Sequence, residues 1–136
     1  MRAPPRYLVD TDWLIDYLAG VDAVRLRFEE IGLRHLGVSI VTMAELYEGV
    51  IHSRDPEAYQ TRVDVLFSRG LSVVNLNDPI ARVFGQLRGE LRKRGALVGD
   101  LDLLIAATAL HYGVPLCTNN RRHFERVDGL EILSIG

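Results

Sequence analysis

Strand-like and helix-like segments alternate along this chain, which predicts an α/β fold with a parallel or mostly parallel central sheet and helices on both faces. Three observations carry that expectation. Short apolar runs such as Tyr7-Leu8-Val9 and Val38-Ser39-Ile40-Val41 each lead into a segment of helical spacing. No internal repeat, low-complexity tract or linker interrupts the pattern, so the 136 residues fit one compact domain spanning 1–136. Hydrophobic residues at 48% and charged residues at 25% describe an ordinary globular chain, neither disordered nor fibrous.

Each element follows from its own pattern. After Pro4 and Pro5, residues 7–9 read as a buried strand, and a helix over 13–19 stops at Gly20. A second helix over 24–34 places Val24, Phe28 and Ile31 on one face, and 36–41 reads as a strand. Met43, Leu46, Tyr47, Val50 and Ile51 then recur at helical spacing, and Pro56 opens a helix running to 67. Residues 71–76 are β-rich, and Pro79 opens a long helix to about 94. The segment 100–111 is apolar nearly all round, which predicts a buried helix capped by Gly113. Closing strands are expected over 114–118 and 130–135.

Composition excludes several classes of function. A net charge of −2 gives no global basic signature, so a nucleic acid would have to be gripped locally through Arg patches or a metal. The single Cys117 rules out an internal disulfide or a cysteine zinc cluster and fits an inert core thiol. No apolar stretch is long enough to span a membrane, and the first residues lack a signal-peptide pattern. A cytoplasmic enzyme or binding module is the expectation.

Three acids stand out. Asp10 ends the first strand-like run, Glu45 lies just inside the helix after the second, and Asp102 opens the apolar run Leu103-Leu104-Ile105-Ala106-Ala107. In an open α/β sheet such junctions gather in the crevice at the carboxyl ends of the strands. Three carboxylates there repel one another unless positive charge holds them, and a hard divalent cation such as Mg²⁺ or Mn²⁺ takes oxygen ligands. Each acid also has a purely structural reading. Asp12 and Asp100 could be helix N-caps, Thr42-Met43-Ala44-Glu45 matches a capping box, and Asp102 in a first turn suits the helix dipole. Asp102 shares a helical face with Ile105, Ala106 and Ala109, which draws it inward, where an unpartnered carboxylate costs several kcal/mol.

Other signals are weaker. His35, His52, His111 and His123 show no paired metal-ligand spacing, so surface or capping roles are expected. No Gly-x-Ser-x-Gly elbow and no Gly-rich phosphate loop occurs. Arg82, Arg88, Arg92, Lys93 and Arg94 line the long helix and its end as a solvated face. Arg121, Arg122 and Arg126 instead follow the Thr118-Asn119-Asn120 turn at a strand end, where a phosphodiester would need positive contacts.

The strand-end Val-Asp-Thr-Asp, the Thr-x-x-Glu-Leu helix start, the Asp-Leu-Leu-Ile-Ala-Ala-Thr-Ala-Leu helix and the Thr-Asn-Asn-x-x-His-Phe turn, in this order, resemble a PIN-domain protein. The subgroup they resemble most is the VapC-type ribonuclease toxins of prokaryotic toxin–antitoxin pairs, over about residue 6 to the carboxyl end. The resemblance implies a compact three-layer α/β/α fold, metal-dependent endoribonuclease activity, a homodimer and inhibition by a cognate antitoxin. It matches Asp10, Glu45 and Asp102 to the family's acidic triad around Mg²⁺ or Mn²⁺, and Thr11 and Thr118 to supporting hydrogen-bonding positions. Asn120 falls where many relatives carry a fourth acid, Asp12 stands where relatives often have Asn or Ser, and Asp100 is an additional acid; Asp12 and Asp100 rank below the triad.

The chemistry expected is metal-assisted hydrolysis of an RNA phosphodiester, with a carboxylate orienting or deprotonating the attacking water and the helix dipole keeping the acids ionised. RNA as substrate rests on the resemblance. A non-catalytic RNA-binding or regulatory module with a degenerate site, and a small α/β protein whose acids only cap helices, are the alternatives. For partners, Trp13, Leu14, Tyr17 and Leu18 on the first helix and Met43, Tyr47 and Val50 on the third offer apolar faces to a second subunit or an antitoxin segment. The competing expectation is that both faces pack into the chain's own core.

Overall fold

Strand and helix alternate as expected in the computed structural model, which describes residues 4–135. The order is β1 Tyr7–Val9, α1 Thr11–Leu18, α2 Asp22–Ile31, β2 Leu36–Ser39, α3 Ile40–Ile51, α4 Pro56–Ser68, β3 Ser72–Val74, α5 Asp78–Lys93, α6 Asp100–Tyr112, β4 Leu116–Cys117, α7 Arg121–Phe124 and β5 Ile132–Leu133, with a 3-10 turn before β2. The strands line up as β3-β2-β1-β4-β5, and every pairing is parallel.

Period-two alternation in the strands divides the protein into two cores. Val9 and Cys117 face a core built with α1 to α4, where Trp13, Leu14, Phe28, Leu46 and Leu66 are buried. Leu8 and Leu116 face the opposite core, built mainly from α5, α6 and α7, with Ile80, Leu91, Ile105 and Phe124. The result is the expected three-layer α/β/α sandwich. Burial also pushes the Cys117 thiol up to about 12, so it is an inert core thiol as its strand position implied. In β2, Gly37 lies so near Pro5 that a Cβ would come within 2.8 Å of the proline ring, so any larger residue would push Pro5 aside.

Several expected boundaries move for local reasons. The strand expected over 36–41 ends at Ser39, whose hydroxyl accepts the Val41 N–H and starts α3 at once. Thr42 is therefore inside α3 and no N-cap, and the capping-box reading of Glu45 is wrong. The first helix begins at Thr11, because Asp10 accepts the Thr11 N–H and is itself the N-cap; Asp12 lies inside the helix. Asp100 is no cap either, since Gly99 holds that position without a side-chain bond. Gly113 does close α6, at φ 65° in the left-handed region. The single turn α7 was not foreseen; its buried Phe124 anchors it.

Two packing expectations need correction. Asp102 does not follow a strand: α6 comes after α5 and a loop. The apolar faces of α1 and α3 are mostly spent inside the chain. Trp13, Leu14, Leu18, Met43 and Val50 are buried in their own core, Tyr17 stacks on Phe28 at 4.6 Å, and of the seven residues only Tyr47 is exposed. Among the described residues no helix is long and apolar enough to cross a membrane.

Candidate functional site

β1 lies between β2 and β4, and the chain runs from β1 outward to β2 and β3 before returning to the other side of β1 as β4. That reversal opens a crevice beyond the carboxyl ends of β1 and β4, the usual binding place in an open α/β sheet. A crevice of about 400 Å³ is lined there by Asp10, Thr11, Asp12, Glu45, Gly99, Asp100, Leu101, Asp102, Asn120 and His123. Residues from β1, α1, α3, α6 and the α7 turn thus meet at one place.

Asp10 forms the floor. It is 3% exposed, and its two oxygens accept the Thr11 N–H at 2.8 Å and the Thr118 hydroxyl at 2.7 Å. The β1–β4 pairing aligns them, since the Asp10 N–H donates to the Cys117 carbonyl. Burial raises the Asp10 carboxyl from 3.8 to about 7, with Asp12 and Asp102 adding to the rise and the Thr118 and Thr11 hydrogen bonds opposing it. Desolvation thus works against the helix dipole, which favours the charged form of this acid.

Glu45, in the second turn of α3, accepts the Thr11 hydroxyl at 2.7 Å. Thr11 Oγ1 is also 3.1 Å from Thr42 Oγ1, and its one proton is drawn to the carboxylate, which leaves Thr42 to donate to Thr11. Asp12 is a brace, since its oxygens accept the backbone N–H groups of Trp13 at 2.8 Å and Asn119 at 2.9 Å. Beside it, Asn119 Oδ1 accepts from Trp13 Nε1 and from the Ile135 N–H, fixing the turn after β4 against α1. Thr118 Oγ1 accepts the Asn120 N–H, and Asn120 makes no side-chain cap, so its amide is left to line the crevice.

Asp102 forms the opposite wall. It is 27% exposed and not buried without a partner as its helical face suggested, because His123 Nδ1 lies 2.9 Å from its Oδ2. Asp100 is more exposed and is paired with the Arg88 guanidinium. Arg121 and Arg122 are exposed on α7 but do not line the crevice; Asn120 and His123 do. The sequence predicts a surface or capping role for His123, which is indeed more than half exposed but also lines the crevice. The available signal was its spacing from Asn120, since residues three apart share a helical face.

Oxygen donors from Asp10, Glu45 and Asp102 suit a hard cation of the Mg²⁺ or Mn²⁺ class better than a thiophilic one. Each oxygen has two lone pairs, so one hydrogen bond leaves capacity for a cation. Among the described residues no three such side chains stand close enough to form a ligand set, although all three acids line the same crevice.

The PIN domain family model matches residues 7–130. The chain is 36% identical over 129 residues to ribonuclease VapC1 of Methanocaldococcus jannaschii, covering 93% of this chain and 86% of that protein. It is 35% identical over 126 residues to the tRNA(fMet)-specific endonuclease VapC of Shigella flexneri, covering 92% and 94%. Among solved structures, DNA-bound VapBC from Salmonella typhimurium superposes with a TM-score of 0.88 at 32% identity, over 96% of this chain and 98% of that one.

Proposed function

We propose a function from one premise: the chain belongs to the PIN-domain family, in its VapC ribonuclease branch. It is an endoribonuclease and the toxin of a toxin–antitoxin pair, cleaving RNA phosphodiesters with the help of a divalent cation held by Asp10, Glu45 and Asp102. The observation that carries the reading is the presence of three acids from separate elements in the lining of one crevice, one of them buried and held against its own desolvation cost. A helix-capping role alone does not account for Glu45, which caps nothing and accepts the Thr11 hydroxyl instead.

When bound, the cation would supply positive charge to the scissile phosphoryl oxygen and acidify the attacking water. The chain's own residues do the rest. Thr118 and the Thr11 N–H hold both oxygens of Asp10, and the Thr11 hydroxyl holds Glu45. Asp12 clamps the turn that carries Asn120, which is placed to donate its amide to a phosphate or base. Arg121 and Arg122, exposed next to the crevice, neutralise flanking phosphates of the RNA. A cognate antitoxin partner is supported by the VapBC complexes among the structural relatives, and the protein is cytoplasmic and homodimeric in this reading.

Two measurements test it. Millimolar Mg²⁺ or Mn²⁺ raises the melting temperature, since a ligand at about 100 times its Kd adds about 2.7 kcal/mol to the folded state. RNA cleavage by the purified chain requires the same ions and stops on chelation. No melting shift with either ion removes the cation site, and cleavage that survives chelation removes the mechanism.

A further inference from the structure

Two acids of the proposed site accept hydrogen bonds from threonine hydroxyls, and the third has an imidazole nitrogen close by. Thr118 serves Asp10 at 2.7 Å, and Thr11 serves Glu45 at 2.7 Å. For Asp102 the partner is His123, at 2.9 Å between Nδ1 and Oδ2. We infer that His123 is a positioning residue: its Nδ1–H holds the Asp102 carboxylate in the crevice, so that the remaining oxygen is presented to the cation. The inference rests on the cation reading given above.

The backbone on both sides of this contact is anchored. Leu103, the residue after Asp102, is 1% exposed, and Phe124, the residue after His123, is fully buried. Two short side chains rooted beside core anchors have little freedom to miss each other. The side chains themselves are accessible, His123 at 56% and Asp102 at 27%, so without the imidazole the Asp102 carboxylate would rotate among its staggered conformers in contact with water. Carboxylates that ligate metals are commonly held by a neighbouring hydrogen-bond donor, and loss of such a donor costs about 10–100-fold in metal affinity. Asp102 lacks the double anchoring of Asp10, and unlike Glu45, whose partner Thr11 is buried, its one partner is more than half exposed.

The test is Mn²⁺ affinity of the full-length protein, measured by calorimetry on wild type, His123→Ala, His123→Asn, Asp102→Asn and Asp102→Asn/His123→Ala. The Asn amide can place its nitrogen near the position of Nδ1 and keep the donor. The expected result is at least about tenfold weaker Mn²⁺ binding in His123→Ala, with near-recovery in His123→Asn. In the Asp102→Asn background the same His123→Ala change should have no further effect, which a general loss of fold would not reproduce. Wild-type Mn²⁺ affinity in His123→Ala overturns the inference, and so does tighter binding, which would mean that the imidazole holds Asp102 away from the ion. Equal weakening in the Ala and Asn variants also overturns it, because the donor is then not what matters. If wild type itself binds no Mn²⁺, the cation reading fails and this inference falls with it.

Discussion

The two walls of the crevice are built in opposite ways. Asp10 is buried at the end of β1, fixed by two donors, and its carboxyl is driven up to about 7 by desolvation. Asp102, across the crevice in the first turn of α6, is partly exposed and held by one imidazole that is itself more than half exposed. One wall is rigid and costly when empty of positive charge; the other is adjustable and depends on one contact. In the proposed function, the floor would stay fixed while the far wall adjusts.

The comparison breaks most visibly in catalysis. Asp10→Asn and Asp102→Asn should each reduce RNA cleavage to background while leaving the fold intact, because each removes the charge of a proposed cation ligand at nearly constant volume. A gel assay with circular dichroism on the same samples checks this. If Asp100→Asn abolishes cleavage and Asp102→Asn does not, the adjustable wall has been matched to the wrong acid.

The next effect separates the walls by pH. A carboxyl raised from 3.8 to about 7 binds its proton more tightly when folded, so its contribution to stability is full below about pH 4 and is lost as pH rises towards and through 7. In chelator, wild type should therefore lose stability relative to Asp10→Asn across that window, with a slope of at most about 1.4 kcal/mol per pH unit from one group. Urea titrations of both proteins measure the difference. Parallel curves would mean that Asp10 is ionised in the folded state without a metal.

A smaller effect belongs to the support of the rigid wall. Thr118→Val removes the donor to Asp10 and the acceptor of the Asn120 N–H in a fully buried position, which should cost about 1–3 kcal/mol, while Thr118→Ser should recover most of it. Thermal denaturation that ranks Val with wild type would show that the network holds nothing. Smallest of all is Asp100→Asn, whose exposed pair with Arg88 should contribute less than about 1 kcal/mol, with cleavage changed only a few-fold.

Much of this architecture was legible in the chain. Pro56 and Pro79 marked the starts of α4 and α5 to within a residue, because proline at a first helical turn leaves no donor wanting. The nearly uniform apolarity of α6 announced its burial, and Gly113 its end. Helix starts without proline were read less well: Asp12, Thr42 and Asp100 all have the chemistry of an N-cap and none is one. For α1 and α3 the cap forms where the chain leaves its strand. That point is set by pairing with a neighbouring strand, which local propensity does not record.

The sequence by itself determined the layers and the three acids. Hydrophobic periodicity states which face of each segment leaves water, and a residue's type states what chemistry it can offer. The tertiary structure decided the partners. Thr118 reaches Asp10 across 108 positions, Asn119 reaches Trp13 across 106, and His123 reaches Asp102 from a different helix. These meetings exist because β4 pairs beside β1 and brings the α7 turn to the mouth of the sheet. Burial is a property that each residue carries along the chain, whereas a hydrogen bond between remote side chains depends on strand order and register, which are fixed only when the whole sheet has closed.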